Sequence, residues 1–171
     1  MAESIGSTRG IHTIVLKGYN PNYIVEKRVN GSDIKPGKIV TNYGESNKHD
    51  VDLCGAGEPP LGIALEHYFD DGLAGTNRDP LDIDTVYADN SVVRVGLIGS
   101  GMTVVGYMAG QTTTTTIYAG SNIVAAASGN VQLPTYSSTT AELHNDFEGR
   151  IGKSAEYNTG GSSVKTLAMV I

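Results

Sequence analysis

The chain has no tryptophan, only two phenylalanines and a single cysteine among its 171 residues. With one cysteine, Cys54, no disulfide can form within the chain, which fits a protein made in a reducing cytosol. With so few large aromatic side chains, the core has to be built from aliphatic residues and some of the nine tyrosines. Such thin cores are typical of small barrels and sandwiches, and they gain stability when copies associate.

The sequence also lacks the segments that would direct it to a membrane or to nucleic acid. No run approaches the ~18 apolar residues of a membrane span, and residues 1–9 lack the charged and apolar regions of a signal peptide. The 12 basic residues are scattered within a net charge of −6, whereas a nucleic-acid binder carries a basic stripe. We therefore expect no membrane partner, no nucleic-acid partner, and synthesis in a cytoplasm.

Short runs rich in Val, Ile, Thr and Tyr recur along the chain, and most are bounded by glycine or other turn formers. This pattern predicts β-strands. The predicted strands cover residues 36–41, 60–66, 92–98, 102–108, 117–125 and 164–171, with a further strand at 11–16 and an extended segment at 19–29. No convincing internal repeat is visible. The sequence predicts an all-β fold: a small β-barrel or sandwich of short strands with an extended N-terminal arm and at most one short helix.

The one helix candidate covers residues 140–148. Thr140 is suited to the N-cap position, and Gly149 provides a stop. Leu143 and Phe147 lie four residues apart, so they would share one face of a two-turn helix. Such a helix could cover one end of a barrel.

The chain divides into an N-terminal arm, residues 1–12, and a β-barrel or sandwich domain, residues 13–171. The arm is polar and contains glycine, so it has too little apolar content to fold by itself. A strand-forming run follows it directly, and an extended segment of this kind can add to the edge of a partner's sheet. A disordered tail is the alternative interpretation.

No catalytic motif is present. Gly99-Ser100-Gly101 lacks the spacing of a nucleophile elbow and is interpreted as a hairpin turn between two strands. The four histidines are far apart and match no zinc spacing. Cys54 has no local partner that would activate it, so it is interpreted as a small buried or loop residue. We therefore expect no enzymatic activity and no cofactor.

The longest stretch without strand character, residues 66–90, is rich in aspartate. Calcium takes six to eight oxygen ligands, and clustered carboxylates can supply them. The aspartates, however, lack the ligand spacing of a calcium loop; they are Asp70, Asp71, Asp79, Asp82, Asp84 and Asp89. We expect a solvated acidic loop without metal. A carbohydrate- or cation-binding β-module of a fibre or surface-adhesion assembly, with this loop as its site, is the alternative function.

The order of short segments resembles a known family. It runs Pro36-Gly-Lys-Ile-Val, Pro60-Leu-Gly-Ile-Ala-Leu, Val93-Arg-Val-Gly-Leu-Ile-Gly-Ser-Gly-Met-Thr-Val, and Ile117-Tyr-Ala-Gly-Ser-Asn-Ile-Val, and then Gly149-Arg-Ile-Gly-Lys-Ser-Ala-Glu before a closing apolar strand. This order is similar to that of the small β-barrel decoration (cement) proteins of tailed-virus heads. The resemblance covers residues 36–171, and the acidic loop at 66–90 departs from it.

The resemblance implies a virion structural protein made in the host cytoplasm and placed on the outside of an icosahedral capsid. There it would bind the major capsid protein as a homotrimer and clamp neighbouring subunits against the pressure of packaged DNA. The N-terminal arm would pair with strands of the shell. The residues of this capsid-binding arm would be Glu3, Ser4, Ile5, Ser7, Thr8, Arg9, Ile11, His12, Thr13 and Ile14.

Overall fold

The computed structural model describes residues 14–31, 33–44, 49–66, 86–109, 116–134, 148–156 and 166–171. The described part contains eleven strands. They are β1 (Val15–Lys17), β2 (Ile24–Val29), β3 (Ile39–Asn42), β4 (Asp50–Leu53), β5 (Gly62–Ala64), β6 (Val92–Leu97), β7 (Thr103–Tyr107), β8 (Asn122–Ala126), β9 (Asn130–Gln132), β10 (Arg150–Ser154) and β11 (Thr166–Val170). The prediction of an all-β fold is confirmed. The predicted helix at 140–148 lies outside the described residues except for Glu148.

The strands form a closed barrel and a six-stranded sheet that curls towards a second barrel. The first barrel is closed and has the strand order β2-β4-β3-β5-β6. The remaining strands form a sheet in the order β1-β7-β11-β10-β8-β9. A parallel bridge between Met108 and Val131 connects β9 back to β7. We call strands β7 to β11 the second barrel; β1 is an additional strand on the edge of its β7.

The two barrels share one topology. In each, the first strand pairs antiparallel with the fifth, the fifth with the fourth, the fourth with the second, and the second with the third. In each, the third strand closes the barrel by running parallel to the first. The sequence shows no convincing internal repeat, and yet the two halves share this order of strand pairing. The repeat is one of strand pairing through the main chain, and it therefore leaves little similarity between the side chains of the two halves.

The register of the two barrels also agrees. Val29 pairs with Val51 where the first barrel closes, and Met108 pairs with Val131 where the second closes. In both, the following residue donates its N–H to the carbonyl of that valine at 2.9 Å. The segments Leu61-Gly-Ile-Ala-Leu-Glu and Ile151-Gly-Lys-Ser-Ala-Glu occupy corresponding places, which makes Glu156 the counterpart of Glu66.

Two hydrophobic clusters form the core. One consists of first-barrel residues with Ile34 and Tyr87: Val29, Ile34, Val40, Val51, Ala64, Tyr87, Val93 and Val95. The other includes residues of both barrels, among them Ile39, Ile63 and Leu65 from the first and Val104, Ile123, Leu167 and Met169 from the second. Because the second cluster draws on both barrels, they pack against each other as one body.

Several predicted elements differ from the observed ones. The predicted strand 117–125 is shortened to β8 because a turn, in which Ser121 donates its N–H to Tyr118 O at 2.9 Å, occupies its first half. The extended segment 19–29 begins with a short 3-10 turn at Pro21–Tyr23 before β2. The turn around Ser100 is not a hairpin, because β6 and β7 belong to different barrels and do not pair.

Candidate interaction surface

The first described residue of the N-terminal segment, Ile14, is fixed to the second barrel. Its carbonyl accepts a hydrogen bond from the N–H of Val105 in β7 at 2.9 Å. Its side chain is 1% exposed and belongs to the cluster that both barrels share. The turn of the first barrel at Gly37 comes close to it: a Cβ built there would lie 3.2 Å from Ile14 Cδ1 and 3.1 Å from Val105 O. Glycine at this position, with φ +85°, permits the close approach.

Glu66 holds the same segment from the first barrel. Its Oε1 accepts the N–H of Ile14 at 2.5 Å and that of Val15 at 3.4 Å. A carboxylate that accepts main-chain N–H groups makes a charge-assisted hydrogen bond, which is stronger than a neutral one. The segment is therefore held between the two barrels, by β7 on one side and by Glu66 on the other.

The corresponding acid of the second barrel, Glu156, has different partners. Its Oε1 accepts the N–H of Ala168 in β11 at 2.9 Å. Its Oε2 is buried and has no hydrogen-bond partner among the described residues. The acid at this place in the repeat therefore binds an added strand in one barrel and a strand of its own barrel in the other.

The first half of β2 carries one main-chain donor, the N–H of Glu26, that has no partner in the described structure, whereas Ile24 donates its N–H to Pro21 O in the preceding turn. Val29 donates its N–H to Ser91 O at 2.8 Å, so alternate residues of β2 direct their main chain towards β6. Glu26 lies three residues before Val29, so its N–H points away from β6. There Arg28 donates its N–H to His49 O at 2.9 Å, just before β4 begins. The N–H of Glu26, two residues earlier, has no partner among the described residues.

Charged and aromatic side chains surround this edge. Glu26 and Arg28 are both exposed, and Arg28 forms a bidentate ion pair with the largely buried Asp50, with two N–O distances of 2.7 Å. The hydrogen bond and charge of Asp50 raise the pKa of Arg28. Tyr19 and Tyr23, which precede β2, are exposed. The edge therefore offers the N–H and the exposed carboxylate of Glu26, with exposed tyrosines in the segment just before it.

A second polar contact joins the two barrels next to the start of β3. The Nζ of Lys38 donates to Asn130 Oδ1 at 2.6 Å and to Ser128 O at 3.0 Å. Burial, and secondarily the charge of Lys35, lower the pKa of Lys38. Lys35 and Lys38 also lie over the ring of Tyr107, with Nζ 4.4 and 5.3 Å from its centroid.

Of the ten predicted arm residues, only Ile14 is described, and it lies in the body. The other nine lie outside the described residues. The same is true of five of the six aspartates of the acidic loop. The sixth, Asp89, accepts the N–H of Gly31 at 3.0 Å and so serves a turn. The interpretation of residues 66–90 as a loop without metal stays a prediction.

The described residues contain no group of three or more metal-ligating side chains. Of the four histidines, only His49 is described. Within the described ranges, no helix is long and apolar enough to cross a membrane.

Cys54 is buried and belongs to the cluster shared by the barrels, as the sequence interpretation allowed. Burial, with a smaller contribution from the charge of Glu58, raises the pKa of its thiol to about 12. At pH 8 the thiolate fraction is then about three orders of magnitude below that of a free cysteine. We expect iodoacetamide to label Cys54 rapidly in denaturant and hardly at all in the folded protein. Equal labelling rates in the two states would contradict the burial.

Sequence reasoning missed the residues that define this surface: Glu26, Glu66 and the main chain of Val105. Only Glu66 had a detectable signal. The pattern of a glycine followed four residues later by glutamate occurs at Gly62–Glu66 and again at Gly152–Glu156. The open edge at Glu26 depends on strand order, which local sequence does not reveal.

The fold and this surface define a class: an all-β body, built of a closed barrel and a second sheet, whose described surface includes a place for strand pairing. No protein-family model matches the chain, and no curated protein matches it. Among solved structures, the chain is similar to the N base of the head fiber protein gp8.5 of bacteriophage phi29. The identity is 12%, the TM-score is 0.46, and the match covers 86% of this chain and 92% of that one.

Proposed function

We propose that this protein is a virion structural protein of a tailed virus, without catalytic activity, that binds the outer surface of an icosahedral capsid. It acts as a homotrimer, contacts the major capsid protein and clamps neighbouring subunits of the shell. The proposal takes its functional class from the family resemblance of residues 36–171. The observation that carries it is the anchorage of the N-terminal segment at Ile14.

That anchorage gives an arm a fixed base. A segment that pairs with a shell strand transmits force only if its base is held by the body. Here the main-chain bond to Val105, the bonds to Glu66 and the buried side chain of Ile14 hold it together. Strand addition supplies affinity through main-chain hydrogen bonds. Three weak contacts in one trimer act as one strong contact, because the second and third bind at a high effective concentration.

The closed first barrel supports the same function. Closure pairs strand edges within the protein and so leaves few of them for unwanted association. In the described residues, partner strands can therefore meet the body at only a few places. A protein present in many copies on a crowded shell requires this selectivity.

The test is cosedimentation of the purified protein with heads assembled from the major capsid protein of the same genome. We expect saturable binding, and we expect bound heads to retain packaged DNA at higher temperature. Deletion of residues 2–6 should weaken binding while leaving the melting temperature of the free protein unchanged. The matched control is Asp82→Asn with Asp84→Asn, which should leave binding to heads intact. Absence of the full-length protein from the head fraction would reject the function.

A further inference from the structure

The open edge of β2 has a counterpart that is occupied. Glu26 pairs with Arg94 across β2 and β6, and Val105 pairs with Ala168 across β7 and β11. Arg94 and Ala168 are themselves equivalent. The carbonyl of Arg94 accepts the N–H of Leu65, just after β5, and the carbonyl of Ala168 accepts the N–H of Ala155, just after β10, both at 2.9 Å. Glu26 and Val105 therefore hold the same position in the two barrels.

At the second-barrel position, a strand is already docked. The N–H of Val105 donates to Ile14 O, and β1 lies antiparallel to β7 with Val15 opposite Val104 and Lys17 opposite Thr103. At the first-barrel position, the N–H of Glu26 has no partner among the described residues, and its side chain is exposed. At the equivalent edge of β7, the partner is a short antiparallel strand.

We propose that the edge of β2 at Glu26 binds residues 9–11 of a second copy of this chain as a short antiparallel strand. The inference rests on the trimeric assembly in the proposed function and names the contact that joins its copies. It occupies Arg9 to Ile11 and leaves the arm residues before them, among them Glu3, Ser4 and Ile5, for the shell.

Complementarity between the two segments supports this occupant. An antiparallel register that places Ile11 opposite Ile24 also places Arg9 opposite Glu26. Opposite charges and paired apolar side chains facing each other across strands stabilise pairing. Arg28 is already paired with Asp50, and Glu26 lies between Arg94 of β6 on one side and the open edge on the other, so Arg9 would bring a cation to the open side of its carboxylate. The thirteen residues that precede Ile14 can span up to about 43–47 Å when extended, which is long enough to reach a neighbouring copy.

The same charges disfavour pairing of two β2 edges with each other. The open part of β2 precedes Arg28, whose N–H already bonds to His49 O. If two copies paired through their β2 edges, a two-fold axis would pass through this short stretch and would bring Glu26 close to Glu26 of the second copy. Like charges opposite each other destabilise a strand pair. A head-to-tail contact, with the arm of one copy on the β2 of the next, avoids this repulsion.

The main-chain contact can be removed without touching the barrel. Because the N–H of Glu26 points away from β6, Glu26→Pro deletes the docking donor and spares the β2–β6 hydrogen bonds. The control Glu26→Thr keeps the N–H and suits a strand. By light scattering over a range of concentrations, with circular dichroism to verify folding, Glu26→Pro should raise the dissociation constant of the assembly about 10- to 100-fold. Glu26→Thr should raise it no more than about 5-fold.

Charge reversal identifies the occupant. Arg9→Glu and Glu26→Arg should each weaken association, and the double variant should restore it. A wild-type protein that stays monomeric at all concentrations would overturn the proposal, as would a Glu26→Pro variant that assembles like wild type. Restoration by charge reversal within a monomer would show pairing with the chain's own arm and would also overturn it. A free monomer that still binds heads would leave the proposed function standing and remove only this inference.

Discussion

Gly152→Ala should be among the most destabilising single substitutions in the chain, and Gly62→Ala should match it in the other barrel. A Cβ at Gly152 would lie 2.0 Å from Val170 O, and one at Gly62 would lie 2.2 Å from Gly96 O. Both obstacles are main-chain atoms of a paired strand, so relief requires that the strands separate. We expect a loss of about 3 kcal/mol, at the upper end of overpacking costs, and a melting temperature lower by about 6–12 °C.

Gly106→Ala is the matched control for both. The nearest atom to a Cβ there is Met169 Cε at 2.6 Å, the end of a flexible side chain that can move aside. Its cost should stay near 1 kcal/mol, at the low end of overpacking. Thermal unfolding followed by circular dichroism measures all three variants. Equal melting temperatures for Gly152→Ala and Gly106→Ala would show that strand spacing at β10 and β11 is not the limiting contact.

Ile14→Ala should destabilise the body by about 2–5 kcal/mol, the range for a large-to-small change at a buried aliphatic residue. Ile14 is 1% exposed and packs in the cluster that joins the barrels, so its truncation leaves a cavity where they meet. The measurement is chemical denaturation of the purified protein.

Val92→Ala provides the comparison, because Val92 lies in a strand but is 58% exposed. Its cost should remain within about 0.5 kcal/mol. If the two variants unfold at the same denaturant concentration, Ile14 does not anchor the segment. The arm would then lack the fixed base that the proposed function requires.

The sequence predicted most strands well where β-branched runs lie between turn formers. The predicted segments 92–98 and 102–108 became β6 and β7 almost residue for residue. β4 was missed because aspartate disfavours strands, and Asp50 opens it. The ion pair with Arg28, a residue far away in sequence, offsets the burial of that carboxylate. β9, with three residues, is too short for any periodicity to appear.

The candidate surface was harder to predict, for a related reason. Glu26 looks like an ordinary exposed strand residue, and Val105 like an ordinary core residue. What distinguishes them is which strand lies beside each one. That depends on sheet order, which is set by contacts between residues far apart in sequence.

The position of β1 also determines the order in which the protein can fold during synthesis. The first barrel uses residues 24–97 and can close before the ribosome has made β11. β1 precedes that barrel in sequence but pairs with β7, and β7 pairs in turn with β11. At about 5–20 residues per second, β1 waits several seconds without its partner while the first barrel forms beside it. A nascent chain released early would therefore present one finished barrel and a loose strand, which is the type of intermediate that chaperones bind.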